Sequence, residues 1–284
     1  MEKVWTILEI INWGKQYFAQ RGIDAPRLTI ELFLAHVLGI SRVQLYMHFD
    51  RPLRKEELSR LRIMIQRRVA REPLQYIIGE VEFAGLKLLV NPAVFIPRPE
   101  TELLVEYAIR RISSEGAAKL HILDIGTGSG CIALAIAQQF PHVQVHALDS
   151  SAESLGVAQK NALLHGICNV QFEHSDILTA HPERRFDVIL SNPPYISQND
   201  MNELEPEIYQ YEPHSALTDG ADGLRFYQRF AEIFPVLLEQ HGWFVVEIGF
   251  NQSDAVSSLF TGVGYVVSMH KDLAGINRVC VGQK

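Results

Sequence analysis

Apolar residues recur at helical spacing along residues 4–20, where Val4, Ile7, Leu8, Ile11 and Phe18 share one face of a 3.6-residue turn. The same period runs through residues 27–38 and 55–71, so residues 1–74 predict a small helical domain. Gly22 and Gly39 stand where helix ends are expected, and Pro26 suits a helix start. Glu56 and Glu57 follow Pro52 and favour the positive end of the third helix. From residue 75 the pattern changes. Tyr76-Ile77-Ile78 and residues 86–90 are short apolar runs, with Gly79, Gly85, Asn91 and Pro92 as turn signals. A β-hairpin over 75–97 follows, linking two domains. Pro97 and Pro99 then hold an extended stretch before a helix at about 101–112.

Beyond residue 120, strands and helices alternate. Apolar runs at 120–125, 143–148, 170–173, 186–190 and 243–248 read as strands. Helical patterns lie at 131–139, 152–164, about 223–240 and 252–260, and 265–270 with 278–281 can close the sheet as a hairpin. Strands buried on both faces read as continuous apolar runs, as these do. Residues 98–284 therefore predict an α/β domain: a mostly parallel, Rossmann-like sheet covered by helices, with an antiparallel hairpin at its end.

Composition changes this picture little, and charge changes it more. Hydrophobic residues make up 47% and charged residues 21% of 284, ordinary values for a globular protein. Glu2, Lys3, Glu9 and Lys15 interrupt the first helix, so no signal-peptide core is expected. Cys131, Cys168 and Cys280 are odd in number and in no metal spacing, and they read as small hydrophobes of a reducing cytoplasm. The scattered histidines give no metal site. Net charge is −7, unevenly divided. Residues 1–75 hold 13 Lys and Arg against 8 Asp and Glu, and the rest hold 13 against 25. The halves are thus +5 and −12, which argues against nucleic acid as the partner of the second half.

The sharpest chemical signal is Asp124-Ile125-Gly126-Thr127-Gly128-Ser129-Gly130, directly after the first strand of the alternating region. A ligand lies outside the carboxyl ends of such strands, where the strand order reverses. The dinucleotide fingerprint places its third glycine at the sixth position, and here that position is Cys131. Asp124, just before the glycines, would repel a pyrophosphate. A zwitterionic amino-acid ligand, with its ammonium near a carboxylate, fits better. Asp149 ends the second strand, where an acid can accept from both ribose hydroxyls. Asp176 and Ile177 follow the third strand, placed for an adenine amino group and for apolar cover of its ring. Together these resemble the first three motifs of the class I S-adenosylmethionine-dependent methyltransferases.

After the fourth strand the chain reads Ser191-Asn192-Pro193-Pro194-Tyr195. Two prolines stiffen the backbone and remove two N–H donors, leaving carbonyls as acceptors. The Asn192 side-chain oxygen is another acceptor. An NH₂ group on a planar carbon offers two donors, which Asn192 Oδ1 and the Pro193 carbonyl can hold. Such bonds orient a delocalised nitrogen toward a sulfonium methyl and stabilise the positive charge that develops on it. Tyr195 would close over the planar group with its ring. Adenine N6, guanine N2 and a glutamine amide all satisfy this chemistry.

The rest of the chain resembles the PrmC/HemK family, the glutamine-N5 methyltransferases of peptide-chain release factors. The resemblance rests on Ile96-Pro97-Arg98-Pro99-Glu100-Thr101-Glu102, the glycine loop and Asn192–Tyr195. It also rests on Glu212-Pro213 with Ala216-Leu217, Gly220, Asp222-Gly223-Leu224, Tyr227, Lys271-Asp272-Leu273-Ala274-Gly275 and Arg278-Val279. It implies methyl transfer from S-adenosylmethionine, leaving S-adenosylhomocysteine, to the glutamine of a Gly-Gly-Gln loop in class 1 release factors. Gly126, Thr127, Gly128, Ser129, Gly130, Asp149, Asp176, Ile177 and Asn192 are then the expected cofactor contacts. Asn192, Pro193, Pro194 and Tyr195 are the expected substrate contacts, with Asn192, Pro193 and Tyr195 at the chemical step. Ile177 departs from members that carry an aromatic residue there, so cover rather than stacking is expected. Arg67, Arg68 and Arg71 are expected to help the helical domain grip the release factor. No membrane and no direct nucleic-acid contact is expected. The rival readings are a DNA adenine-N6 or RNA guanine-N2 methyltransferase, a silent binding partner and a dehydrogenase.

Overall fold

The computed structural model describes residues 4–116 and 120–284; Glu2 and Lys3 lie outside the described residues. The chain divides into two compact units, one ending at Gly79 and also taking in Pro206–Tyr211, the other comprising Glu80–Glu205 and Glu212–Lys284.

The first unit holds α1 (Ile7–Ala19), α2 (Pro26–Leu38), α3 (Arg42–Met47), α4 (Lys55–Val69) and α5 (Leu74–Ile78). The chain's ninth helix, α9 (Pro206–Tyr211), belongs to it as well. Thr6 begins α1 with a capping box, its hydroxyl accepting from Glu9 N while the Glu9 carboxylate accepts from Thr6 N. Pro26 sits in the first turn of α2 and Gly39 ends it in the left-handed region. The core is built from Ile7, Ile11, Phe18, Ile30, Phe33 and Leu45, all buried. Tyr76-Ile77-Ile78 is helix α5 rather than strand, with Gly79 at φ +88° as its C-cap. Three adjacent apolar residues carry no period, and packing against the helical core decides for helix.

The second unit opens with the hairpin β1 (Glu80–Phe83) and β2 (Leu86–Leu89), so the first strand lies four residues later than the apolar run suggested. Then follow α6 (Pro99–Glu115), β3 (His121–Ile125), α7 (Cys131–Gln139), β4 (Gln144–Asp149), α8 (Ala152–His165), β5 (Val170–His174) and β6 (Phe186–Ser191). Two short 3₁₀ turns precede α10 (Arg225–Leu237), β7 (Leu238–Glu247), α11 (Ser253–Gly262), β8 (Val266–Lys271) and β9 (Asn277–Gln283). The seven strands run in the order β5-β4-β3-β6-β7-β9-β8. Pairing is parallel from β5 to β7, and β9 runs antiparallel to both of its neighbours. Alternate residues of one strand feed two cores. Ile122, Val188 and Val245 pack with α6 and α7, whereas Leu123, Ile189 and Val246 pack with α10 and α11. This is the expected covered parallel sheet with a closing hairpin. Among the described residues no helix is long and apolar enough to cross a membrane.

The topology places the chemistry. Connections from β3 step outward one way to β4 and β5, then the other way through β6 to β7. The order reverses between β3 and β6, the place where ligands bind in such sheets. Ile125 pairs with Ser191 in register, and the Ser191 hydroxyl donates to the Ile125 carbonyl at 2.8 Å. Gly126 and Asn192 therefore leave the sheet side by side.

Candidate active site

A cleft opens at this end of the second unit. Gly126, Thr127, Gly128 and Ser129 form one wall, Asp149, Asp176 and Ile177 a second, and Asn192, Pro193, Pro194 and Tyr195 a third. All of the anticipated positions except Gly130 thus line one space.

The glycine turn is tied to the neighbouring strand. Gly126 N and Thr127 N both donate to the Leu148 carbonyl at 2.9 Å. Asp149 Oδ2 accepts from Gly128 N at 2.8 Å, and Oδ1 accepts from Ser151 N at 2.9 Å. Each oxygen keeps a free lone pair for a ligand hydroxyl. Burial raises the Asp149 carboxyl above its usual range, against the lowering effect of those two backbone bonds. A β-carbon added at Gly126 or Gly128 would meet nothing within 4 Å, so these backbones face open space. Gly130 is buried instead and opens α7 at φ +84°.

Asp124 does not line the cleft. It is fully buried, and Oδ2 accepts from the Thr127 hydroxyl at 2.7 Å and from Ala133 N at 3.2 Å. Burial pushes its carboxyl up to about 7. Its role in this structure is to pin the turn, and the expected carboxylate beside a ligand ammonium is not presented there. Asp176 is exposed, with Oδ1 accepting from Leu178 N in a local turn, and Ile177 is buried beneath the cleft wall.

The Asn192–Tyr195 loop is held from behind by residues far away in sequence. Asn192 Nδ2 donates to Thr101 Oγ1 at 3.1 Å, and Thr101 Oγ1 donates to Glu247 Oε2 at 2.7 Å. The Tyr195 hydroxyl donates to Glu247 Oε1 at 3.2 Å. Burial and the neighbouring carboxylate raise the Tyr195 phenol, which keeps it a donor. Gln252 Nε2 donates to the Tyr195 carbonyl at 2.9 Å and to the Gly223 carbonyl at 3.2 Å, while its Oε1 accepts from Gly249 N at 2.9 Å. A β-carbon at Gly223 would fall 2.3 Å from the Tyr195 carbonyl, so only glycine fits that approach.

Arg98 does not line the cleft; it pairs with the buried Glu212 carboxylate and covers the Phe95 ring. Glu212 also accepts from Ile96 N at 3.1 Å. Phe95, Pro213, Ala216 and Leu217 complete the wall, so the quoted motif of Glu212-Pro213 with Ala216-Leu217 flanks the cleft. The basic cluster of the first unit is engaged internally. Arg67 pairs with Glu72, while Arg68 and Arg71 each lie 3.2 Å from Glu207 of α9. Those guanidiniums form part of the unit's own fabric rather than a free basic patch.

The family model for the PrmC N-terminal domain matches residues 9–79, and that for the methyltransferase small domain matches residues 99–220. A release factor glutamine methyltransferase of Geobacter sulfurreducens is 43% identical over 99% of this chain and 98% of its own. Another, from Bacillus subtilis, is 38% identical over 96% of each chain. A solved methyltransferase from Pyrococcus furiosus shares the fold, with a TM-score of 0.52 at 18% identity over 81% of this chain and 99% of that one. Identity at this level across nearly the full length of both sequences places the chain in the release factor glutamine methyltransferase family.

Proposed function

We propose that this protein transfers a methyl group from S-adenosylmethionine to the side-chain amide nitrogen of the glutamine in the Gly-Gly-Gln loop of class 1 release factors. The observation that carries the reading is the joining of the glycine turn, Asp149 and Asn192–Tyr195 around one cleft at the sheet's switch point. The residues present fit the cofactor. Gly126 and Gly128 leave room for close backbone approach, and Asp149 keeps acceptor capacity for two hydroxyls. Asp176 is exposed for an amino group, and Ile177 supplies apolar cover. When bound, S-adenosylmethionine supplies a methyl group on a positively charged sulfur.

The chain's own residues then have defined tasks. Asn192 Oδ1 and the Pro193 carbonyl accept the two amide N–H bonds and aim the nitrogen lone pair. Pro194 and Tyr195 confine the planar group against rotation. As nitrogen acquires positive charge, the same acceptors stabilise it, and the loosened proton can leave to water without a dedicated base. Charge favours a protein substrate over nucleic acid, since residues 76–284 carry a net −12. The separate helical unit, matched by its own family model, supports recognition of the release-factor body. A substrate of the translation apparatus supports a cytoplasmic location for the enzyme.

The test is transfer of labelled methyl from S-adenosylmethionine to a purified release factor, beside the same factor with its Gly-Gly-Gln glutamine replaced. Label is expected only in the glutamine-bearing factor. Asn192→Ala is expected to lower turnover by at least about a hundredfold, the scale of losing one charge-stabilising partner. Label appearing in added DNA or RNA instead would move the assignment to a nucleobase nitrogen.

A further inference from the structure

An asparagine amide has an accepting end and a donating end, and only the oxygen can hold a substrate NH₂ group. Nothing within Asn192-Pro193-Pro194-Tyr195 chooses which end faces the cleft. The choice is made behind the loop. Thr101 Oγ1 lies 3.1 Å from Asn192 Nδ2 and 2.7 Å from Glu247 Oε2, with Thr101 1% and Glu247 2% exposed. A hydroxyl has one proton to give. When Glu247 is ionised, that proton goes to the carboxylate, and Thr101 can then only accept from Asn192. The asparagine must turn its nitrogen inward and its oxygen toward the cleft. The second carboxylate oxygen accepts the Tyr195 hydroxyl at 3.2 Å, which fixes the ring.

We infer that Thr101 and Glu247 are positioning residues for methyl transfer, selecting the accepting face of Asn192 and holding Tyr195 without touching the substrate. The inference rests on the glutamine-methylating reading above. Thr101 comes from α6 and Glu247 from the end of β7, so one buried hydroxyl and one buried carboxylate set both functional side chains of the loop. The relay has a direction that protonation reverses. A neutral Glu247 can donate to Thr101, whose own proton then seeks Asn192 Oδ1 and draws the amide oxygen away from the cleft.

The groups facing Glu247 are Tyr195, Tyr227 of α10, Arg278 of β9, Glu100 of α6 and Cys131 of α7. The Tyr227 hydroxyl donates to the Glu247 backbone carbonyl at 2.8 Å and leaves the carboxylate to the relay. Burial pushes the Glu247 carboxyl up to about 7, while the bonds from Thr101 and Tyr195 and the nearby Arg278 act to lower it. The ionised form is the one that orients Asn192, so turnover rises with pH through that value.

The test compares wild type with Thr101→Val, Thr101→Ser and Glu247→Gln, using labelled S-adenosylmethionine and a purified release factor. Thr101→Val keeps the volume and removes the hydroxyl. It is expected to cut kcat roughly tenfold to a hundredfold while KM for both substrates stays within about threefold, the pattern of lost orientation rather than lost binding. Thr101→Ser restores the hydroxyl and is expected to recover most of kcat. Glu247→Gln cannot accept from both Thr101 and Tyr195; it lowers kcat and abolishes the rise near pH 7. Melting curves and calorimetric cofactor binding establish that each variant is folded. Wild-type turnover in Thr101→Val, or equal losses in the valine and serine variants, would overturn the inference and leave the methyltransferase reading standing. Absence of label from the release factor with wild-type protein would remove both.

Discussion

Gly126, Gly128 and Gly130 all lie in the left-handed region, at φ +72°, +56° and +84°, but a methyl group would meet different surroundings at each. At Gly130 it would stand 3.0 Å from Leu134 Cδ1 and 3.2 Å from Ala158 Cβ; at Gly128 it would meet nothing within 4 Å. Gly130→Ala is therefore expected to cost about 1–2 kcal/mol from backbone strain, with crowding added, read as a lower urea midpoint. Gly128→Ala carries the strain without the crowding, but its methyl group enters the cleft. It should weaken S-adenosylmethionine binding in calorimetry more than Gly130→Ala does. Equal effects on affinity would show that the turn is scaffold and not contact surface. The glycines and Asn192–Tyr195 were legible because backbone chemistry is written in consecutive residue types. Thr101 stands in a quoted motif and Glu247 at a strand end, but their link to the loop was not legible, since their partners Asn192 and Tyr195 lie 91 and 52 residues away, and no local pattern marks a hydroxyl aimed at a distant carboxylate. Asn161 was silent for the same reason. Buried on α8, it pairs with Leu89 N and O and with the Ser129 carbonyl, bracing the hairpin and the glycine turn together.

Strand and helix periods carried most of the elements, and the failures share a cause. The covered strands β3, β4 and β6 are continuous apolar runs bounded by turn residues, and the expected segments match them within a residue or two. Where a run is short, tertiary partners decide. Residues 76–78 joined the helical core as α5, and residues 238–240, expected as the end of a helix, became strand because Leu238 pairs with Phe186. Helices α3 and α9, six residues each, are too short for a period to register. The linker hairpin offers a test at this scale. Phe83 pairs with Leu86 across a two-residue turn of Ala84 and Gly85, with φ of +47° and +78°. Two positive φ values match a type I′ turn, which suits the twist of the flanking strands. Alanine is strained at that position by roughly 1–2 kcal/mol, while glycine adds unfolded-chain entropy worth roughly 0.4–1 kcal/mol. Ala84→Gly is thus expected to stabilise the protein by about 0.5–1 kcal/mol in urea unfolding. The backbone N–H of residue 84, which donates to Glu102 Oε1, is kept. A lower midpoint would mean that the packing of the Ala84 methyl outweighs its strain.

Across the whole molecule, charge was the least specific part of the sequence, because a count of lysines and arginines does not say which of them are already paired. The +5 of residues 1–75 includes Arg68 and Arg71, both committed to Glu207 from a part of the chain more than a hundred residues later. Buried carboxyls give the whole-molecule balance a pH dependence whose sign can be worked out. Asp124 has an ordinary value of 3.8 and is pushed by burial to about 7 in the fold. Below its ordinary value it is protonated in both states and contributes nothing. As pH rises toward 7, the unfolded chain releases the proton while the folded chain keeps it, so stability falls; above about 7 the penalty is constant. Glu247 acts in the same sense between 4.5 and about 7. Glu31, Glu57, Glu207 and Asp272 are lowered in the fold and act oppositely, their stabilisation being lost as pH falls below the ordinary carboxylate range. His146 and His270, lowered by burial, also disfavour the fold as pH drops below 6.5. These contributions overlap in wild type, so the informative quantity is a difference. Asp124→Asn keeps one oxygen to accept from Thr127 and Ala133 and removes the titration. Its stability relative to wild type is expected to rise by about 2–3 kcal/mol between pH 5 and pH 7.5, most of it below about 7, where only the unfolded wild type is ionised at this site. Urea unfolding of both proteins at the two pH values measures it. A pH-independent difference would mean that Asp124 is already ionised in the fold at pH 5, with Thr127 and the Ala133 N–H outweighing its burial.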